Sequence, residues 1–156
     1  MKTFSVAESK QKIYRYCAYQ ERSHQEVRSK LYTYGLRTAD VEEILTQLIT
    51  EGYLNEERYA KAFAGGKFRM KQWGRNRIAH TLESKGISRN CIKSGLREID
   101  ESTYRATLKN VLQKQAERGD TSSNIFSFRD KLAQFAIRRG FEPDLVWEVL
   151  REMLPG

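Results

Sequence analysis

The chain has 156 residues, with 28 Lys and Arg against 20 Asp and Glu, and a net charge of +8. Its charged fraction of 31% and the lack of any run of about 18 apolar residues exclude a membrane-spanning helix. The opening stretch Met1-Lys2-Thr3-Phe4-Ser5-Val6-Ala7-Glu8 lacks the apolar core of a signal peptide, so a cytoplasmic location is expected.

Taken in chain order, the sequence predicts helices throughout. Ile13, Tyr14, Cys17 and Ala18 recur at one-turn spacing and predict a helix from about Glu8 to Gln20. Ser23 with Glu26 forms a capping box that opens the next helix, with Val27, Leu31 and Tyr34 as its buried stripe and Gly35 as its stop. A third helix opens near Thr38, with Asp40, Glu42 and Glu43 near its positive end and Val41, Ile44, Leu45, Leu48 and Ile49 as its apolar face. Gly52 breaks that pattern.

Asn55 then caps a helix carrying Tyr59, Ala60, Phe63 and Ala64, which Gly65-Gly66 is expected to interrupt or end. Another helix begins near Gly74 and carries Ile78 and Leu82 to Gly86. Ser88 caps the one after it, with Ile92, Leu96 and Ile99. Tyr104, Leu108, Val111 and Leu112 mark a further helix. The loop Gly119-Asp120-Thr121-Ser122-Ser123-Asn124 separates it from one carrying Phe128, Leu132 and Phe135 to Gly140, and Pro143 suits the first turn of the last. No stretch alternates apolar and polar residues, so the fold class expected is all-α.

These elements repeat. Gly35, Gly86 and Gly140 share one local pattern. An aliphatic residue lies eight positions before each (Val27, Ile78, Leu132), and an apolar one directly after (Leu36, Ile87, Phe141). Further apolar residues follow at the sixth, tenth and thirteenth positions: Val41, Leu45 and Leu48; Ile92, Leu96 and Ile99; Val146, Leu150 and Met153. A period near fifty residues predicts stacked supersecondary units, here three tandem three-helix repeats at residues 1–54, 55–100 and 101–156. One ordinary domain, or three small units sharing a continuous core, would both fit the length. Four positions before the glycine, Leu31 and Leu82 become Ala136, so different packing is expected in the third unit. An array of this kind offers an extended surface to a large partner more readily than a closed pocket to a small molecule.

The basic excess is local. Residues 1–54 carry a balance of +1, residues 55–100 of +6 and residues 101–156 of +1. Within the middle unit, Lys67-Phe68-Arg69-Met70-Lys71-Gln72-Trp73-Gly74-Arg75-Asn76-Arg77 holds five cations, two aromatics and no acid. Lys67, Arg69, Lys71, Arg75 and Arg77 are therefore the candidate contacts to a polyanionic or acidic partner, because cations cluster without acids only at a cost in repulsion. Phe68 and Trp73 are expected in the core rather than stacked on a base. No phosphate-cradling glycine loop, nucleophile elbow or metal-ligand spacing occurs. His24 and His80 are read as structural or surface residues, Cys17 and Cys91 as buried thiols, and neither an enzymatic activity nor a cofactor is expected.

Gly52-Tyr53-Leu54-Asn55-Glu56-Glu57-Arg58-Tyr59-Ala60 resembles the signature G-Y-[LI]-[DN]-[DE]-x-[RK]-[FY]-A of the RecX regulatory proteins. Gly74-Arg75-Asn76-Arg77-Ile78, Leu82 and Lys85-Gly86-Ile87 resemble that family's next block, and Ser23-His24-Gln25-Glu26-Val27, Lys30-Leu31 and Gly35 its first; residues 101–156 match by pattern only. The resemblance implies an elongated, curved array of tandem three-helix repeats. It also implies binding to the RecA recombinase, chiefly to its filament on DNA, with damping of strand exchange, ATP hydrolysis and co-protease activity. Single- or double-stranded DNA is a further implied partner. Two other readings are a direct DNA-binding module of helix-turn-helix type and a tetratricopeptide-like scaffold, whose period of about 34 residues does not fit.

Overall fold

A computed structural model describes residues 3–119 and 124–154. Among them are nine α-helices and no strand: α1 (Val6–Tyr19), α2 (His24–Thr33), α3 (Thr38–Thr50), α4 (Glu56–Lys71), α5 (Arg75–Ser84), α6 (Arg89–Leu96), α7 (Glu101–Arg118), α8 (Ile125–Arg138) and α9 (Pro143–Met153). Residues 120–123 of the expected loop lie outside the described residues.

Helix starts follow side-chain caps. The Oδ1 of Asn55 accepts from the Arg58 N–H (3.0 Å), Ser88 from that of Cys91 (3.3 Å) and Asp100 from that of Thr103 (3.0 Å). α1 begins two residues earlier than its periodicity indicated, because Ser5 and Glu8 satisfy one another's backbone N–H at 3.1 and 3.0 Å. At α2 the expected box is half formed. Ser23 accepts from the Glu26 N–H (3.1 Å), but the Glu26 carboxylate takes the Ser23 hydroxyl rather than a backbone N–H.

The repeated glycines are the turns between second and third helices. Gly35, Gly86 and Gly140 all have positive φ, at +86°, +81° and +104°. At Gly86 and Gly140 both Schellman bonds form, Gly86 to Glu83 (3.0 Å) with Ile87 to Leu82 (3.1 Å), and Gly140 to Ile137 (2.9 Å) with Phe141 to Ala136 (3.2 Å). Ala136 therefore keeps the turn made by Leu82. Phe141, larger than Ile87 at the matching position, is fully buried with its ring 5.2 Å from that of Tyr104.

Gly65-Gly66 does not stop α4, which runs sixteen residues to Lys71. Two glycines cost a helix about 2 kcal/mol in propensity, but Tyr59, Ala60, Ala64 and Phe68 bury one face around them. Gln72 ends the helix instead, in the left-handed conformation at φ 54°. The narrow Gly95 lets α6 lie against α4: a Cβ there would sit 2.7 Å from the Ala60 carbonyl oxygen.

The buried apolar residues fall into two clusters. One joins α1–α3 through Ile13, Val27, Leu31, Val41, Leu45, Leu48 and Leu54. The other runs through all of α4–α9, from Tyr59 and Ile78 to Leu132 and Leu150. Cys17 lies in the first, whereas Cys91 is half-exposed at the start of α6, where it packs on the edge of the second. The molecule exposes 9697 Å². That is about a fifth more than the ~8,100 Å² of a compact monomer of this mass.

Candidate partner-binding surface

Lys67, Arg69 and Lys71 close α4, and Arg75 and Arg77 open α5, on either side of the bend at Gln72–Gly74. At the C-terminal end of α4, cations favour the negative end of the helix dipole. At the start of α5 the reverse holds, since its first turn carries two arginines and no acid. Something beyond helix stability must account for each.

For Arg75 the account is internal. Its guanidinium pairs with Glu142 (2.9 Å) and with Glu101, and lies 3.8 Å from the centre of the Tyr104 ring. Burial opposes its charge, but both carboxylates favour it and the net pKa is raised. Its backbone N–H donates to the Tyr104 hydroxyl (2.9 Å), which itself donates to Glu142. Burial and that Glu142 bond push the tyrosine pKa well up. Arg75 is thus a tie between α5, α7 and α9, and the expectation of a free contact does not fit its surroundings.

Lys67, Arg69, Lys71 and Arg77 have no carboxylate within 4.0 Å among the described residues. Arg69, Lys71 and Arg77 are exposed, and Lys67 is half-buried. Trp73 is half-buried rather than in the core. Arg77 lies 4.1 Å and Lys67 5.0 Å from its ring centre, and Phe63 packs beside it. Phe68 is buried as expected, 6% exposed.

The surface extends further than the sequence indicated. Beside Gln72 lies a cleft of about 220 Å³ lined by Val111, Lys114, Gln115, Arg118, Phe135 and Arg139, with no acid. Arg139 is held there by donating to the Lys71 carbonyl (2.7 Å) and, more weakly, to that of Gln72 (3.5 Å). Lys114 and Arg118 share a face of α7 at one-turn spacing. No local motif marks these three cations. Arg139 lies far beyond the other two in the chain, in a segment of nearly balanced charge, and its hydrogen bonds to the end of α4 bring the three together beside Lys71.

The segment bearing Lys67, Arg69, Lys71 and Arg77 matches a family described as "RecX, second three-helix domain", over residues 55–96. A regulatory protein RecX of Chlorobium limicola is 31% identical over 137 residues, covering 85% of this chain and 80% of that one. The chain belongs to the RecX family. The regulatory protein RecX of Prosthecochloris aestuarii is 29% identical, covering 89% of each chain. Other RecX relatives are longer, and the chain spans 62% of one from Clostridium botulinum and 50% of one from Streptococcus uberis. The crystal structure of RecX from Lactobacillus salivarius superposes with a TM-score of 0.85 at 22% identity, over 95% of this chain and 96% of that one. The RecX fold is therefore the fold described above. Among the described residues no helix is long and apolar enough to cross a membrane, and no group of His, Cys, Asp and Glu is placed to hold a metal ion.

Proposed function

We propose that this RecX-family chain binds the RecA recombinase filament on DNA in the cytoplasm and damps its strand exchange, ATP hydrolysis and co-protease activity. The reading takes the chain as three tandem three-helix repeats, 1–54, 55–100 and 101–156, forming a curved array that lies along the filament groove. The observation that carries it is the set of cations Lys67, Arg69, Lys71 and Arg77 within the family-matched segment, none with a carboxylate partner among the described residues. These side chains meet acidic protein surface or phosphate, and the array then hinders entry of a second duplex or growth of the filament. No bond is made or broken, so shape and charge account for the effect.

The test is RecA-catalysed strand exchange and ATP hydrolysis on single-stranded DNA, with and without the purified protein. Inhibition that saturates with added protein is expected, and no change at saturation refutes the reading.

A second reading, direct DNA binding, is favoured by the acid-free cleft of Lys114, Arg118 and Arg139 beside Lys71. Contact through about four phosphates would give a log–log salt slope near −3.6 on duplex DNA, measurable without RecA.

A further inference from the structure

We propose that the segment Gly52–Ala60 is a joint, about which α1–α3 swing as one body against α4–α9 as another, with Arg58 as the strap that holds the joint closed. The proposal goes beyond the regulatory reading and holds whatever the partner.

Two junctions separate the three helix triplets, and they are built differently. Between α4–α6 and α7–α9 the apolar core is continuous. Backbone bonds also cross that junction, from the Gly74 N–H to the Arg139 carbonyl and from the Asn76 N–H to the Gly140 carbonyl, both at 2.9 Å. The two backbones touch so closely that a Cβ on Gly74 would lie 2.2 Å from the Gly140 carbonyl carbon. The Arg75 tie adds to this. Sliding or opening there would break all of these together.

Between α1–α3 and the remainder, the apolar clusters are separate and, among the described residues, no backbone–backbone bond crosses. The bonds that do cross involve side chains. Arg58 pairs with Glu21 at 2.5 Å, with 45% and 29% of the two side chains exposed. Glu56 accepts from the His24 N–H (3.1 Å) and lies 3.7 Å from its ring nitrogen. An open cleft of about 390 Å³ lies between the bodies, with Gln20, Glu21 and Glu26 on one wall and Tyr59, Phe63 and Lys67 on the other. Glu26 also accepts from the hydroxyl of the buried Tyr59, at the floor of the junction. The exposed Arg58–Glu21 pair opens at little cost, because water replaces each partner and salt screens each charge.

The pivot is narrow. Leu54, 2% exposed, is anchored in the first core, while Asn55, its neighbour, caps α4. Each side of the Leu54–Asn55 peptide is therefore fixed to a different body. Arg58 spans the gap, since its guanidinium also donates to the carbonyls of Gly52 (3.0 Å) and Tyr53 (3.3 Å) while holding Glu21. A planar fork of several donors suits that task, and a lysine could not make the same set. The residues that this chain carries in the signature stretch thus have a mechanical reading: glycine to end α3, an apolar anchor, an N-cap, an acid for α2 and, at the position that admits arginine or lysine, an arginine to strap the two bodies.

The experiment uses the full chain carrying Cys17→Ala and Cys91→Ser, with spin labels on pairs of introduced cysteines. Ser29→Cys with Asn90→Cys spans the proposed joint, and Asn90→Cys with Lys131→Cys spans the other junction. All three sites are exposed. Distance distributions are measured by double electron–electron resonance. Raising salt from about 0.1 M to about 1 M, which shortens the screening length from about 10 Å to about 3 Å, is expected to broaden the first distribution and leave the second unchanged. Arg58→Ala is expected to give that broadening already at low salt, by about twofold, and Glu21→Gln a smaller one. An unchanged second distribution also shows that the variants are folded. A first distribution as narrow as the second in all conditions, or equal broadening of both, overturns the proposal.

Discussion

Gly140→Ala and Gly86→Ala form a matched pair that isolates the contact of the α8–α9 turn with the start of α5. Both glycines end the second helix of a triplet, both make the same two turn bonds, and their φ values are +104° and +81°. They differ in surroundings. A Cβ at Gly86 meets nothing within 4 Å, whereas one at Gly140 would sit 2.4 Å from the Arg77 Cβ and 2.7 Å from its backbone nitrogen. Gly86→Ala should therefore cost only the strain of a left-handed alanine, about 1 kcal/mol. Gly140→Ala adds a clash relieved only if α5 withdraws by roughly 1 Å, since ordinary carbon contacts begin near 3.5 Å. That withdrawal stretches the two 2.9 Å bonds, Gly74 to Arg139 and Asn76 to Gly140, past hydrogen-bonding range. At about 1 kcal/mol each, their loss brings the total to about 3 kcal/mol.

Urea unfolding followed by tryptophan fluorescence reads the difference directly. Both tryptophans, Trp73 and Trp147, pack against the α4–α9 core, so the signal reports that body alone. With a urea slope of about 2 kcal/mol/M, the midpoint should fall by about 0.5 M for Gly86→Ala and about 1.5 M for Gly140→Ala. Equal shifts would show that the two backbones are not in the contact described and would refute the argument.

Four further outcomes are expected. Leu31→Ala should cost about 2–5 kcal/mol and lower the transition seen by far-UV circular dichroism while leaving the tryptophan transition in place. Leu82→Ala should lower the tryptophan transition together with most of the circular dichroism change, because the two leucines are fully buried in separate clusters and Leu82 lies in the one shared by α4–α9. Replacing Lys67, Arg69, Lys71 and Arg77 together by Ala should leave stability within about 0.5 kcal/mol per site but weaken binding to the RecA–DNA filament in a pull-down. Arg75→Ala should instead lower the tryptophan midpoint by the equivalent of about 2 kcal/mol, through loss of its Glu142 and Glu101 partners. Tyr14, held by its 2.5 Å bond to Glu51 and by burial, is pushed up to about 12. The protonated hydroxyl stabilises the fold fully below the ordinary tyrosine value near 10, and this contribution is lost as pH rises through about 12. Glu51→Ala should move one tyrosine's ionisation toward pH 10 by absorbance near 295 nm.

What was legible in the sequence was what acts over a few residues. A positive-φ stop needs a glycine and an N-cap needs a short polar side chain, so Gly35, Gly86, Gly140, Asn55 and Ser88 stand where the pattern placed them. Gly65-Gly66 misled for the same reason. Local propensity favours a break, and only the burial of Ala60, Ala64 and Phe68 against distant partners overrides it. Arg75 and Arg77 are indistinguishable as neighbours in a basic run. One finds Glu142, 67 residues away, and the other finds the face of Trp73. Lys114, Arg118 and Arg139 carried no signal at all, because their common cleft exists only once α7, α8 and the end of α4 are packed.

Segment charge also hid how far the basic surface extends. Residues 101–156 have a balance of +1, but their acids are not spread evenly among their cations. Glu101 and Glu142 are taken by Arg75, and Glu148 and Glu152 by Arg105. Those pairs leave the cleft cations beside Lys71 without an acid in the lining. The positive surface therefore spans the junction between α4–α6 and α7–α9. That is the junction stitched by backbone bonds and a shared core. A surface of several cations directed at a regular array of charges gains most when their spacing is fixed before contact, since ordering long side chains and loose bodies on binding costs affinity. The near-neutral α1–α3 needs no such fixed spacing, which is consistent with a wet, salt-sensitive joint at Leu54–Asn55.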